Sequence, residues 1–334
     1  MDDIFNGKTT LITGATGLLG GAVAKMLLQE GHTVRVMVRS LQRAQSLARL
    51  GAEVIQADMI DPPSLERAVS GCQVVLHFAG VLADEYASRV YFHQVNVEGT
   101  LHLAQAALTA GVMRFLHSST AWVYGYAALP GTNERSPYLI SRDLYIDTKI
   151  EAERRLQQLR LEAGLPLVIV QPSPVYGPGD KHCTLTPLRF IHTGKMFLMN
   201  GGSGLIQPIF VDDTVAGILA AARRGQVGEA YLICGSEEMT LRRFFGEYAR
   251  ILGRKRLPSM PGWLGMCLAV VLESLSALTH RPPLISRAMV RANTMHASFD
   301  GSKARTELGF TPQVSLQAGM SRVADWISAE NPLE

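Results

Sequence analysis

Short apolar runs alternate with amphipathic stretches through the first half of the chain, and that alternation predicts the layers of a fold. The run Thr9 to Ile12 ends at Gly14, and Leu18, Leu19, Val23, Met26 and Leu27 then recur at helical spacing as far as Gly31. Val34, Val36 and Val38 alternate as in a strand, Glu53 to Asp58 reads as another, and Pro62 opens a helix to Val69. Gln73 to Gly80 is again strand-like, and Asn96 opens a long helix with Leu101, Leu103, Ala104 and Ala107 on one side. Arg114 to Thr120 makes a fifth strand, and a further helix runs from Tyr145 to about Leu161. Strands alternating with helices require a parallel sheet with right-handed crossovers, and ligands on such a sheet lie at the carboxyl ends of its strands.

The first strand-to-helix junction reads Thr13-Gly14-Ala15-Thr16-Gly17-Leu18-Leu19-Gly20. Gly14 permits the sharp turn, Gly17 lets backbone N–H groups approach an anion, and Gly20 lets helix and strand pack closely. Spaced glycines alone suit a plain turn; between a buried strand and an amphipathic helix they point to a dinucleotide pyrophosphate at the helix N-terminus. The second strand ends in Arg39-Ser40, with Arg43 one helical turn on. An NAD site usually carries a carboxylate there for the ribose 2′-OH, whereas a guanidinium pairs with a 2′-phosphate. The expectation is NADP(H) ahead of NAD(H), against the plain reading of two surface arginines. Topology puts Asp58 near the adenine and Ala79-Gly80 beside the middle of the cofactor. His77 is expected within its strand rather than on a metal, and Asn96 reads either as a polar brace or as a helix cap.

With 334 residues, 47% hydrophobic and 18% charged, the chain can bury a real core, as one large α/β domain or one with an appended lobe. The net charge of +3 and the lack of a basic run with interleaved aromatics argue against nucleic acid as a partner. The start, Met1-Asp2-Asp3-Ile4-Phe5, does not read as a signal peptide. Cys72, Cys183, Cys234 and Cys267 are far apart, which suits reduced thiols in a cytoplasmic compartment and no metal cluster. His182-Cys183 is the one close pair of soft donors, and it reads as a loop.

Candidate chemistry gathers after the fifth strand. Ser118-Ser119-Thr120 ends it in hydroxyls, and Tyr145 and Lys149, four apart on a helix, share a face. A phenol, with a reference pKa of about 10, is a poor base at neutral pH. A nearby ammonium and an oxidised nicotinamide would favour the phenolate, and lowering it by about three units takes about 4 kcal/mol. Thr120 would hold the substrate oxygen for proton exchange with Tyr145.

The glycine junction, Asp58, His77-Phe78-Ala79-Gly80, Asn96, Ser118-Ser119-Thr120 with Val123-Tyr124-Gly125, Tyr145 with Lys149, and Gln171-Pro172-Ser173-Pro174-Val175-Tyr176-Gly177-Pro178-Gly179-Asp180 together resemble the extended short-chain dehydrogenase/reductases over about residues 8–325. The resemblance implies a doubly wound Rossmann α/β fold with catalysis by Thr120, Tyr145 and Lys149, supported by Asn96. It implies cofactor contacts from Gly14, Thr16, Gly17, Leu18 and Leu19, from Arg39, Asp58 and Met59, and from Ala79 and Gly80. Ser118, Tyr145, Lys149, Pro172 and Ser173 complete that set, with the last two beside the nicotinamide. Gln171 stands where the family usually has Arg, which puts the usual bracing of that turn in doubt.

Three departures bear on the branch. Ala121-Trp122 replaces the Asp-Glu of nucleotide-sugar dehydratases, leaving water elimination without its acid/base pair. Ile206 stands where sugar-nucleotide epimerases carry an Arg for the pyrophosphate. Third, Trp263 to Leu278 is markedly apolar, between Arg254-Lys255-Arg256 and His280-Arg281-Pro282-Pro283. It holds Glu273 and is shorter than the roughly 20 residues of a spanning helix. It reads as a lid for a greasy substrate, an interfacial helix with basic flanks, or a helix buried in a smaller lobe. The segment resembles the dihydroflavonol reductase and 3β-hydroxysteroid dehydrogenase branch, whereas the closing Ser302 to Pro312 motif is shared with sugar epimerases.

The expectation is a Rossmann domain over 1–176, rejoined by 209–229, with a partly helical substrate lobe from 177–208 and 230–330. Its function is expected to be NADP(H)-dependent interconversion of a hydroxyl and a ketone on a hydrophobic small molecule of sterol, flavonoid or β-keto type. The alternatives are a nucleotide-sugar epimerase with tightly held NAD and a non-catalytic cofactor sensor. A homodimer through helices around Leu101–Ala107 and Ile150–Leu161, and contact with a membrane surface without spanning it, complete the expectations. Substrate choice falls to loops 81–94, 125–140, 181–205 and 255–300.

Overall fold

Seven parallel strands make the central sheet: β1 Thr9–Thr13, β2 Thr33–Val38, β3 Glu53–Gln56, β4 Val74–His77, β5 Arg114–Ser118, β6 Leu167–Pro172 and β7 Ala230–Ile233, in the order β7-β6-β5-β4-β1-β2-β3. The computed structural model describes residues 3–82, 88–141, 143–279 and 285–333; part of the 81–94 loop and the His280-Arg281-Pro282-Pro283 flank lie outside them. The sheet is the doubly wound Rossmann arrangement, with its strand order reversing between β1 and β4. Thr13 lies beside His77, His77 beside His117, and Ser118 beside Val170, so the carboxyl ends come level along one edge.

Period-2 side chains divide between two cores. Ile12, Val36, Leu76, Leu116 and Val170 pack under helices α1, Leu18–Gln29, and Val211–Arg224 through Val23, Leu27 and Ile218. Leu11, Met37, Val75, Phe115 and Ile169 pack on the other face against Leu65, Leu103 and Leu156. Every position of β4 and β6 is buried, as expected of strands covered on both faces.

Gly14 and Gly20 do separate work at the β1–α1 turn. Gly14 has φ +67°, and a Cβ on it would sit 2.7 Å from the Ala79 nitrogen and the Phe78 carbonyl carbon. A Cβ on Gly20 would sit 2.5 Å from the Gly14 oxygen. Both are approaches of backbone to backbone, so only glycine fits.

The helix expected to open at Asn96 begins earlier, at Arg89, where Ser88 accepts from the Tyr91 N–H. A wide π turn, Gln94–Gly99, interrupts it before it continues as Thr100–Thr109. The extra residue in that turn brings Asn96 inward. Gly99 lies so close to the strand-end loop that a Cβ would be 2.6 Å from the Met59 oxygen.

The smaller lobe holds a four-stranded sheet of Met239–Thr240, Leu205–Ile206, His296–Phe299 and Ala127–Thr132, over a core that includes Leu188, Phe210, Phe244 and Tyr248. Two segments cross the expected boundary. Ala127–Thr132 leaves the first domain to pair with His296–Phe299, and Ala230–Ile233 returns to close the main sheet against β6. The helix Gly262–Thr279 is not buried in this lobe, since Trp263, Leu268 and Val271 are exposed along it. Among the described residues no helix is long and apolar enough to cross a membrane.

Gly14→Ala is expected to destabilise the protein by about 2 kcal/mol or more, because the left-handed conformation and the contact with β4 both penalise a Cβ. Denaturant unfolding measures this, and an unchanged midpoint would contradict the close approach.

Candidate active site

One helix, α2, Leu144–Ala163, carries the reactive groups to the carboxyl edge of the sheet. Asp143 caps it, its Oδ1 accepting from the N–H groups of Tyr145 at 3.0 Å and Ile146 at 3.2 Å. Tyr145, Lys149 and Glu153 follow at four-residue intervals on one face. Lys149 is buried, and its Nζ donates to the Ser118 carbonyl oxygen at the end of β5 at 2.6 Å. Thr120, two residues on, accepts from the Trp122 N–H at 3.3 Å, and its hydroxyl is near enough to the Tyr145 phenol to draw the phenol's pKa down. The fold thus brings Thr120, Tyr145 and Lys149 together.

Beneath them lies a carboxyl group that sequence reading passed over. Glu153 is fully buried, and Ser119 Oγ, Tyr138 Oη and Gln171 Nε2 all donate to it, the last at 3.0 Å and 3.2 Å. Tyr124 Oη in turn donates to Gln171 Oε1 at 2.8 Å. Every one of these donors is neutral. Gln171 therefore braces the turn with an amide where the resemblance led one to expect a guanidinium. The four-residue step from Lys149 to Glu153 was the available signal.

Burial dominates the electrostatics of these groups. Burial pushes the Tyr145 phenol above its ordinary value, the Thr120 hydrogen bond offsets part of this, and Asp143 and Glu153 push it further up. The lowering expected from Lys149 is not met by the protein's own groups. Burial pulls the Lys149 ammonium from 10.5 down to about 8, with Glu153 opposing. Burial likewise raises the Glu153 carboxyl, against the hydrogen bonds from Ser119, Tyr138 and Gln171 and the charge of Lys149.

Across the crevice a neutral chain joins β1, β4 and the π turn. Thr13 Oγ1 accepts from the N–H groups of Phe78 and Ala79 and lies 2.7 Å from His77 Nδ1. Thr100 Oγ1 donates to the Asn96 carbonyl at 2.8 Å and lies 2.9 Å from His77 Nε2. Each hydroxyl has one proton, so Thr100 accepts from an Nε2–H and Thr13 donates to a bare Nδ1. Burial holds this imidazole down at about 3, and Lys149 adds to the shift. Asn96 is the brace and not a cap: its Oδ1 accepts from the Val81 N–H at 2.7 Å, and its Nδ2 donates to Val81 O and Thr148 Oγ1 at 3.0 Å each. It touches neither Tyr145 nor Lys149 in the bonds it makes, and acts through Thr148 on the same helix.

The residues present fit a dinucleotide. Gly17 starts α1 with no side-chain cap, leaving first-turn N–H groups of Leu18 and Leu19 facing the loop where Thr16 is exposed. Ser173 Oγ, just past β6 and Pro172, is buried without a hydrogen-bond partner in the protein. Asp58 closes its own turn, Oδ1 accepting from the Ile60 N–H at 3.3 Å, and Met59 is buried under Gly99. Gly80 packs over Asn96, where a Cβ would lie 3.1 Å from Oδ1. Arg39 is exposed at the end of β2, donates to Tyr91 Oη at 3.1 Å and makes no ion pair among the described residues.

Just after Thr120 in the chain, Trp122 meets Tyr126 in a tilted ring contact with centroids 5.3 Å apart, and Tyr126 Oη donates to Asp143 Oδ2 at 3.2 Å. Ile206 belongs to the lobe's core at 3% exposure. Among the described residues no group of His, Cys, Asp and Glu could hold a metal, and His182 and Cys183 donate their backbone N–H groups to Asp180.

A family model described as the NAD dependent epimerase/dehydratase family matches residues 10–234. The chain belongs to that family. This member is an NAD(P)-dependent enzyme of the extended short-chain dehydrogenase/reductase type. It is 30% identical to a putative dihydroflavonol 4-reductase of Synechocystis sp. across 94% of this chain and 93% of that one. It is 29% identical to a 3 beta-hydroxysteroid dehydrogenase/Delta 5→4-isomerase of Mycobacterium tuberculosis across 93% and 88%. A crystal structure of a Streptomyces venezuelae dTDP-glucose 4,6-dehydratase double mutant with NAD bound matches at a TM-score of 0.80 and 25% identity, covering 97% and 99%.

Because Lys149 binds its proton less tightly in the fold than in the unfolded chain, its contribution to stability rises as pH climbs from about 8 to 10.5 and is lost below that window. In thermal unfolding across this range wild type is expected to gain stability relative to Lys149→Met as pH rises. A flat difference would contradict the burial of the ammonium.

Proposed function

We propose that this family member is an NADP(H)-dependent oxidoreductase that interconverts a hydroxyl and a ketone on a hydrophobic small molecule of sterol, flavonoid or β-keto type. The placing of Thr120, Tyr145 and Lys149 at the carboxyl edge of the sheet, with Lys149 on the Ser118 carbonyl and the Trp122–Tyr126 pair beside Thr120, carries the reading. Names of relatives, a dihydroflavonol reductase and a 3 beta-hydroxysteroid dehydrogenase, support the substrate class.

A nicotinamide held at this edge would supply or accept hydride through its C4. Tyr145 gives its phenolic proton to the ketone oxygen in reduction and takes it back in oxidation. Thr120 holds that oxygen by its hydroxyl, so the proton travels a fixed path. Lys149, anchored on the Ser118 carbonyl, offers positive charge to the phenolate; together with the positive charge of oxidised nicotinamide it opposes the upward push of burial. Asn96 positions helix α2 and the backbone at Val81. Ser173, with its unpaired hydroxyl, is proposed to meet the carboxamide side of the nicotinamide.

The epimerase alternative loses support at Ile206, where an apolar side chain stands in the core in place of a pyrophosphate-binding arginine. Ala121 and Trp122 count likewise against dehydration. The proposed setting is cytoplasmic, with residues 177–208 and the lobe parts of 230–330 choosing the substrate. A homodimer through the helices around 101–107 and 150–161 is the proposed assembly, which light scattering reads directly.

Tyr145→Phe is expected to cut kcat by about 10²–10⁴-fold while leaving NADPH affinity near wild type. Single-turnover reduction of a hydrophobic ketone panel and a binding titration separate the two, and retained turnover refutes the assignment. For the cofactor, kcat/KM is expected to favour NADPH over NADH, and Arg39→Ala is expected to reduce that ratio by about tenfold. Purification with NAD that dialysis cannot remove would instead favour the epimerase.

A further inference from the structure

The helix Gly262–Thr279 wears its apolar residues on the outside. Among the described residues its two buried positions are small, with Met266 packed half-buried beside them: Ala269 is fully buried, and a Cβ on Gly265 would lie 2.6 Å from the Met199 sulfur. Trp263 is 70% exposed and Val271 56%, with Leu264, Leu268 and Val270 open beside them. Steps of three, four and seven positions line these up as one stripe. A contiguous exposed apolar stripe is uncommon on a monomeric surface and marks an interaction site.

What lies next to the stripe says what kind of surface it meets. Leu198–Met199 pairs with Ser259–Met260, and this short ribbon ties the start of the helix to a cleft lined by Arg242, Arg250, Arg254, Lys255 and Arg256. Glu247 pairs with Arg250 at 2.7 Å, and among the described residues the other four make no ion pair. Among the described residues the Arg242 and Arg254 side chains donate to the carbonyls of Gly201 and His192 alone. A second copy docking through this face about a two-fold axis would set these cations against themselves. A bilayer carrying anionic headgroups offers acyl chains to the stripe and negative charge to the cleft.

We infer that this face docks on an anionic lipid surface, with the helix Gly262–Thr279 lying in the plane of the interface and the five cations against the headgroups. Trp263 sits at headgroup depth, where amphipathic rings are favoured. The contact holds the enzyme on the membrane without crossing it, and it does not depend on the chemistry proposed for Tyr145.

Co-flotation of the full chain with phosphatidylglycerol–phosphatidylcholine vesicles, and with phosphatidylcholine alone, tests this. Wild type is expected to float with the first and not the second, and to be released by salt. Leu268→Asp with Val271→Asp removes the stripe; Arg254→Glu, Lys255→Glu and Arg256→Glu together reverse the cleft. Each set is expected to lower vesicle binding roughly tenfold or more. These positions are on the surface, and circular dichroism checks that the variants fold. Vesicles should also shift tryptophan emission to the blue in wild type and not in Trp263→Ala. The inference is overturned if wild type stays unbound, if either set leaves binding unchanged, or if the apolar set dissociates a dimer that never floats.

Discussion

The Lys149 ammonium on the Ser118 carbonyl is the interaction around which the site is built. A buried cation without a partner is strongly destabilising, so its position is tied to the oxygen at the end of β5 and to the carboxyl group one helical turn further on. That tie sets helix α2 across the carboxyl edge of the sheet. With Lys149 held there, Tyr145 emerges one turn earlier, where the backbone after β5 delivers Thr120. Glu153 goes the other way, into the protein, where Ser119, Tyr138 and Gln171 satisfy it with neutral hydrogen bonds. An arginine in place of Gln171 would bring a second cation to Glu153. With an amide there, Lys149 and Glu153 face each other with less compensation, which ties the protonation of one to that of the other.

The opposite wall of the crevice is fixed by neutrality. His77 is buried at the level of Lys149, and an imidazolium there would add a second buried positive charge. Bonding to two threonines, one donating and one accepting, fixes the neutral tautomer and draws β1, β4 and the helix after it together. The π turn belongs to the same arrangement. It spends an extra residue to point Asn96 at Val81 and Thr148, which ties the loop after β4 to the helix bearing Tyr145.

The smaller lobe follows different physics. Its core is aromatic, with Tyr176, Phe244 and Tyr248 in edge-on contact, and it closes over the sheet edge beside Trp122 and Tyr126. Its outer helix keeps apolar surface in water, held in place by small residues on its inward side.

Local spacing in the chain was enough for much of this. Period-2 and period-3.6 patterns, glycines at Gly14, Gly17 and Gly20, and the four-residue step from Tyr145 to Lys149 determine the parallel sheet, the cofactor junction and the neighbouring of the reactive pair, because each rests on contacts within one element or one turn. The family followed from the same motifs. Tertiary structure alone decided the rest. That Asn96 braces instead of capping depends on Thr148 and Val81, both remote in sequence. The direction of the Tyr145 shift is a matter of how deeply neighbouring elements bury it, and the Glu153 cluster draws on four separate segments. Ala230–Ile233 and Ala127–Thr132 changed lobes because strand pairing is settled between distant segments. Which side of the 262–279 helix faces water was likewise open until packing chose: hydrophobicity drives burial but carries no direction, and Gly265 and Ala269, lacking bulk, were the residues that could approach Met199 and the neighbouring core.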